Sequence, residues 1–178
     1  MNKQPSAEHR ADVRATGLDR DHLVAMGEVA YWSARVERTL SLVVMALVSD
    51  DDDETDEIGS VVTRGLSFTG LLELGAKLVK LQRFEGQVRD MFTRLASELK
   101  AAMESRNHLL HGDWTKPGPG PGPATASRVT ARRTVDRTFT VEQVEDVAFE
   151  LAVLSNQLFM LYLVVQEMID YKEWFPES

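Results

Sequence analysis

The sequence predicts an all-α protein, folded as an antiparallel bundle of four main helices. Apolar residues recur every three or four positions in four stretches, which is the spacing of helices that each bury one face. Gly112 is a natural end for the third stretch, and Thr140 with Gln143 forms a capping-box pattern before the fourth. Residues 117–123 alternate Pro and Gly, which cannot continue a helix or a sheet, and therefore predict a spacer.

The first helix is expected from about Asp19 to Val48. The acidic residues 50–57 follow it, and because clustered like charges repel each other they favour a solvated loop at residues 50–60. A calcium-binding loop is not expected, because its twelfth position requires a carboxylate and is Val61 here.

The second helix is expected from Ser67 to Phe84. Gly70 and Gly75 lower its intrinsic helix propensity, so packing has to stabilise it. The third helix follows a turn at Gly86 and is expected to end at Gly112, where a glycine commonly terminates a helix.

The fourth helix is expected from Thr140 to about Tyr171 and is apolar on nearly every side. The polar residues 155–157 interrupt it, so we expect a core helix rather than a membrane span. One face would lie in the monomer core and another against a second subunit. Before this helix, residues 128–134 and 135–139 indicate short extended segments that could pair as a β-hairpin.

A chain of 178 residues, 43% of them hydrophobic, can bury one sizeable core but is too short for two typical domains with linkers. We therefore expect a single domain over residues 18–178, in which residues 115–139 form the Pro/Gly spacer and a basic arm. Residues 1–17 are polar and charged, which predicts a disordered tail. The absence of cysteine excludes disulfides and thiolate metal sites and, with no secretory signal in that tail, favours a cytoplasmic location.

A formal net charge of -8 argues against a protein that coats nucleic acid. Between Arg106 and Arg137, however, six basic residues stand against two acidic ones, which fits contact with RNA at one cleft. Three of the basic residues are candidate contacts to RNA phosphates: Arg128, Arg132 and Arg133. The alternative is a solvated strand edge, which basic side chains commonly protect from further pairing.

The third helix ends in a polar cluster that runs Arg106-Asn107-His108-Leu109-Leu110-His111. Its spacing resembles the R-x4-H signature of the HEPN superfamily of small all-helical domains. The resemblance implies a HEPN-like bundle that acts as a homodimeric, metal-independent endoribonuclease without a cofactor, as a toxin or defence factor. It further implies an RNA substrate and a cognate antitoxin or regulatory protein as partners. Some HEPN toxins extend the motif to R-x4-H-x-Y, whereas this chain has Asp113 at the place of the tyrosine.

RNA cleavage of the cyclising type needs a base, an acid and a cation that stabilises the phosphoryl oxygens. By the resemblance, His111 from two subunits supplies base and acid, Arg106 holds the phosphate and Asn107 orients it by hydrogen bonding. Asn107 and His111 are four residues apart and share a helix face. Arg106 and His111 diverge by about 140° on an ideal helix, so we expect them to meet across a two-fold axis rather than within one chain.

Two alternatives remain open for this cluster. The apolar stripe of the third helix places Arg106 on the buried face, where a salt bridge to Glu28 or Glu37 would give it a structural role. The protein would then be a non-catalytic HEPN-type module that binds RNA, a nucleotide or another protein. The other alternative is a metal-binding helical bundle, because three potential ligands follow i, i+4, i+7 spacing: Glu104, His108 and His111. We expect no metal site.

Overall fold

The parts of the chain that the computed structural model describes are residues 18–48, 59–81, 86–118, 122–131 and 133–166. The expected tail at residues 1–17, most of the expected acidic loop and Arg132 lie outside these residues. The predicted end of the fourth helix near Tyr171 lies outside them as well.

Five helices and three β-strands form the described residues. The long helices are α1 (Arg20–Val48), α2 (Phe68–Leu81), α3 (Gly86–His111) and α4 (Val141–Val165). A short helix at residues 59–63 lies between α1 and α2. The last two residues of the expected loop at 50–60 are therefore helical. The strands are β1 (Asp113–Thr115), β2 (Ala124–Val129) and β3 (Thr134–Phe139). The structure is therefore mostly helical, as predicted, and it carries a small antiparallel sheet in the region where a short β-hairpin was expected.

Helices α1 and α4 each begin after a residue whose side chain caps the helix. Asp19 precedes α1, and its carboxylate accepts the backbone N–H of His22 at 3.0 Å. At the start of α4, the backbone N–H of Thr140 donates to Oε1 of Gln143 at 2.9 Å. The backbone N–H of Gln143 donates in return to Oγ1 of Thr140 at 3.3 Å. This reciprocal pair is a capping box, and the predicted start of the fourth helix is confirmed.

The three strands form an antiparallel sheet in the order β1-β2-β3. Strands β2 and β3 pair from Ala124 opposite Phe139 to Val129 opposite Thr134, so the expected hairpin is present. Its turn lies between Thr130 and Arg133, inside the segment 128–134 that was expected to be extended. Strand β1 adds a third strand to the hairpin and ends at the first residue of the expected spacer and arm at residues 115–139. It is not predictable from the sequence, because three residues are too few to show an alternating pattern.

The chain divides into two compact units. The first, which we call the site unit, contains the residues up to Tyr31 and Met103–Phe149. It includes the start of α1, the end of α3, the whole sheet and the start of α4. The second, which we call the helical unit, contains Trp32–Ala102 and the residues from Glu150 onward.

The helical unit buries the apolar stripes that the sequence predicts. In α1 the fully buried residues recur with helical spacing and include Val36, Leu40, Val43 and Leu47. Helices α2 and α3 approach closely, because the ring of Phe92 occupies the space that a Cβ at Gly75 would need. The glycine that weakens the intrinsic propensity of α2 is therefore required by its packing.

Helix α4 is the one described helix that is long and apolar enough to cross a membrane, judged by length and composition. The core helix of a soluble protein passes the same test. α4 has the buried face of such a helix, formed by Val144, Ala148, Leu151, Leu154, Leu158 and Leu161. Other positions expose large apolar side chains to solvent, namely Phe149, Val153 and Phe159. The helix thus has one buried face and one open face.

We predict opposite effects of alanine at two helical glycines. Gly75→Ala should lower the free energy of unfolding by about 1–3 kcal/mol, because the new methyl group overlaps the Phe92 ring. Gly27→Ala is the matched control in α1, where no atom lies within 4 Å of the added Cβ. There alanine should raise stability by about 0.5–1 kcal/mol through helix propensity. Urea denaturation measures both, and equal effects would contradict the packing of α2 on α3.

Candidate active site at the end of α3

The three candidate catalytic residues Arg106, Asn107 and His111 meet within one chain. Nη1 of Arg106 donates to Oδ1 of Asn107 at 2.9 Å and lies 3.4 Å from Nε2 of His111. The expectation that Arg106 and His111 do not converge in one chain was therefore wrong. Their Cα–Cβ directions diverge on the helix, but the arginine side chain is long enough to reach around it.

The contact with Arg106 favours one tautomer of a neutral His111 imidazole. A guanidinium has only donors, so Nε2 of His111 must accept the long hydrogen bond from Arg106. In the neutral ring the proton then lies on Nδ1, and Nε2 carries a lone pair beside the guanidinium. Arg106 and Asn107 are half-buried and His111 is exposed, so a ligand can reach the imidazole from solvent. The arrangement can hold an anion and accept a proton.

A close approach of chain segments fixes where α3 ends. A Cβ at Gly112 would lie 2.6 Å from the carbonyl oxygen of His108 and 3.0 Å from Cβ of Ala126 in β2. Only glycine fits this position without displacing the backbone. The indole N–H of Trp114 donates to the carbonyl oxygen of Leu109 at 2.9 Å and so satisfies one of the open acceptors at the helix end. His111 is therefore the last residue of α3, next to the sheet.

His108 has a structural contact. Its side chain is 3% exposed, and Nε2 donates to the carbonyl oxygen of Val135 in β3 at 3.1 Å. Glu104, the first potential ligand of the metal-binding alternative, pairs with Arg137, whose Nη2 lies 3.6 Å from Oε1 of Glu104. Within the described part of the chain, no three His, Asp or Glu side chains are grouped as metal ligands. Glu104 and His108 thus link α3 to β3.

A second polar network lies in the same unit and is not anticipated by the motif. Nζ of Lys116 donates to Oδ2 of Asp19 at 2.6 Å, and Nδ1 of His22 donates to Oδ1 of the same carboxylate at 2.7 Å. The Lys116 ammonium first, and then the hydrogen bonds from His22, hold the pKa of the Asp19 carboxyl well below its usual range. The Lys116 side chain is only 4% exposed, so this cation is not available to a phosphate on the surface.

The described arginines of the predicted basic arm lie on the hairpin of β2 and β3. Arg128 is a half-buried residue of β2, whereas Arg133 is exposed in the turn between β2 and β3. The turn is closed by hydrogen bonds between Thr130 and the backbone of Arg133. Arg137 of β3 belongs to the same basic segment but was not among the candidate RNA contacts. Its position opposite Ala126 could not be known before the strand register.

No protein-family model matches the sequence, and no curated protein and no solved structure is similar to it at a significant level. The resemblance to the HEPN superfamily therefore stays a prediction, based on the motif and on the helix that carries it.

We predict that the Asp19 network stabilises the protein in a pH-dependent way. Because the pKa of Asp19 is depressed in the folded state, its contribution is full above the unfolded pKa of about 4 and is lost as the pH falls toward the folded value. Asp19→Asn should lower Tm by several degrees at pH 7, since it leaves the buried Lys116 ammonium without a counter-charge. The difference in Tm from the wild type should shrink below about pH 4.

Asp90→Asn is the matched control for this experiment, because Asp90 is 79% exposed and its pair with Arg89 spans 3.8 Å. Exposed pairs of this kind contribute little, so its Tm should match that of the wild type at every pH. A constant Tm difference for Asp19→Asn between pH 3 and pH 7 would show that the carboxylate charge is not the cause.

Proposed function

We propose that the protein is a metal-independent endoribonuclease of the HEPN type, which acts as a cytoplasmic homodimer and serves as a toxin or defence factor. The observation that supports this proposal most directly is the contact of the Arg106 guanidinium with Asn107 and His111. A cation in contact with an imidazole that can accept a proton is the combination that phosphodiester cleavage without a metal requires.

Arg106 binds the scissile phosphate in this proposal. Its planar guanidinium can donate two parallel hydrogen bonds to phosphoryl oxygens and stabilise the negative charge that grows on them. Asn107 accepts a hydrogen bond from Nη1 and so restricts the orientation of the guanidinium before the substrate arrives. A fixed orientation lowers the entropy that is lost on binding.

His111 is the base in the first step. Its Nε2 takes the proton of the RNA 2'-hydroxyl as the 2'-oxygen attacks phosphorus, and the bond from phosphorus to the 5'-oxygen breaks. The leaving 5'-oxygen receives a proton from an acid, and the products are a 2',3'-cyclic phosphate and a 5'-hydroxyl. One imidazole cannot be base and acid at the same moment, so the acid is the His111 of a second copy.

A dimer is further supported by apolar side chains that the site unit leaves in solvent. Phe149 is 71% exposed, and the start of α1 exposes Leu23, Val24 and Tyr31. Large exposed apolar side chains on one unit favour association with another protein surface. An isologous two-fold dimer would bring two copies of the same site together. In a toxin, an antitoxin or regulatory protein would bind the same unit to restrain cleavage.

A non-catalytic HEPN-type module that binds RNA, a nucleotide or a protein is the second candidate. Arg106 is half-buried and already bonded to a side chain of its own helix, which is also the geometry of an anion site without chemistry. In that case ligand affinity would depend on Arg106, and no RNA would be cleaved.

We predict that cleavage depends on two side chains of the cluster. In excess chelator the wild type should cut mixed RNA and leave 2',3'-cyclic phosphate ends. His111→Ala should lower the rate by about 10²–10⁴-fold, as expected for the loss of a general base, and Arg106→Ala by a similar factor. Gel analysis of end-labelled RNA measures the rates, and circular dichroism checks the fold.

His9→Ala, a change in the polar segment before α1, is the control for the loss of a histidine and should cut RNA at the wild-type rate. Equal rates in the wild type and in both site variants would mean that a contaminant cleaves the RNA. Tight RNA binding that depends on Arg106, without cleavage by the wild type, would support the second candidate instead.

We predict that one active site needs His111 from two subunits. When the wild type is mixed and exchanged with increasing amounts of His111→Ala chains, a mixed dimer lacks either the base or the acid. Activity should then fall with the square of the wild-type fraction, and sedimentation should show dimers throughout. A linear fall in activity, or a strictly monomeric protein, would contradict the shared site.

A further inference from the structure

The sheet presents two arginines on the face that packs against α3. Opposite residues in an antiparallel pair point to the same face, as do residues two apart in one strand. Arg137 lies opposite Ala126, and Arg128 follows Ala126 by two residues, so the two arginines share a face as diagonal neighbours. Ala126 is fully buried against Gly112 at the end of α3, which identifies this face as the one turned toward the helix.

The same side of α3 carries His111. Glu104, His108 and His111 follow i, i+4, i+7 spacing and lie on one side of the helix. Glu104 contacts Arg137 and His108 contacts Val135, so this side faces β3. From Glu104 to His111 the helix rises by roughly 10 Å, which places the two arginines within reach of an RNA strand that is bound at His111.

The contact between Glu104 and Arg137 is an exchangeable one. The closest atoms are 3.6 Å apart, and the side chains are 67% and 43% exposed, respectively. Exposed ion pairs of this kind contribute about 0–1 kcal/mol, so little free energy is lost when the carboxylate leaves. A phosphate offers more acceptor oxygens than the carboxylate and can bind a guanidinium in bidentate fashion. Glu104 therefore holds Arg137 only weakly, at a position where a phosphate would bind the guanidinium more strongly.

We propose that Arg128 and Arg137 form a second phosphate subsite, which binds the backbone of a single RNA strand away from the scissile phosphate, and that Glu104 covers this subsite when no RNA is bound. The proposal rests on the proposed ribonuclease function for the identity of its ligand. The subsite adds Arg137 to the residues that bind RNA and gives Glu104 a competing, autoinhibitory role.

The test measures binding without cleavage. The probe is a fluorescein-labelled oligonucleotide of mixed sequence with 2'-O-methyl groups, which lacks the attacking hydroxyl, and fluorescence anisotropy gives Kd for the full-length chain. Arg137→Gln should raise Kd by roughly three- to tenfold, and Arg128→Gln should act similarly. Arg137→Gln should also lower the slope of log Kd against log salt by about 0.7, the value for one phosphate contact on a single strand. Glu104→Gln should lower Kd by roughly two- to fivefold.

The ion pair between Arg94 and Glu98 provides the matched control, because it lies on α3, is similarly exposed and spans 3.9 Å. Arg94→Gln and Glu98→Gln should leave Kd and the salt slope unchanged. An equal loss of affinity in Arg94→Gln and Arg137→Gln would overturn the proposal, since non-specific attraction would then explain both. Unchanged binding in Arg137→Gln, or in Glu104→Gln, would overturn it as well.

The outcome separates this proposal from the proposed function. If the wild type cleaves no RNA but the subsite variants shift Kd as expected, the ribonuclease proposal fails and the subsite stands. If cleavage depends on His111 while Kd is the same for the wild type and Arg137→Gln, the subsite proposal fails and the ribonuclease proposal stands.

Discussion

The close approach of Gly112 to Ala126 is the constraint on which the arrangement of the site unit depends. With no side chain at Gly112, the end of α3 can lie directly on β2. His108 and Trp114 then fasten this contact, one by a hydrogen bond to β3 and the other by capping Leu109. A bulkier residue in place of Gly112 would separate helix from sheet and move the last turn of α3. The helix terminus that carries the candidate site is thus determined by backbone packing.

Local sequence signals were sufficient for the four long helices and for a hairpin, but not for strand β1. Burial with a period of 3.6 residues and side-chain caps act within a few positions, so the start of α1 and the capping box of α4 could be predicted. Strand β1 depends on pairing with residues 125–127, which lie beyond the Pro/Gly segment. Only the register of distant segments creates such a strand, and a three-residue sequence does not contain that information.

In the candidate site, too, some features follow from the local sequence and others only from the fold. The motif spacing singled out Arg106 and His111, but an argument from Cα positions on an ideal helix ignored the reach of arginine and so missed the contact between these two side chains. Lys116 was counted among the basic residues between Arg106 and Arg137, yet it pairs with Asp19, 97 residues earlier in the chain. That pairing is visible only once the fold joins β1 to the start of α1. Spacing along a helix therefore does not predict which long side chains touch each other.

The distribution of charge limits how a protein of this composition can bind a polyanion. The formal net charge is -8, so long-range attraction to RNA is weak and binding has to come from close contacts. In the basic segment, Lys116 is buried with Asp19, whereas Arg137 and its partner Glu104 are both exposed to solvent. An arginine whose acidic partner is exposed can exchange that partner for a phosphate, whereas a buried pair cannot do so without a large desolvation cost. Selectivity for an anion that fits would then come from the replacement of the Glu104 carboxylate at Arg137, at short range, rather than from the charge of the whole chain.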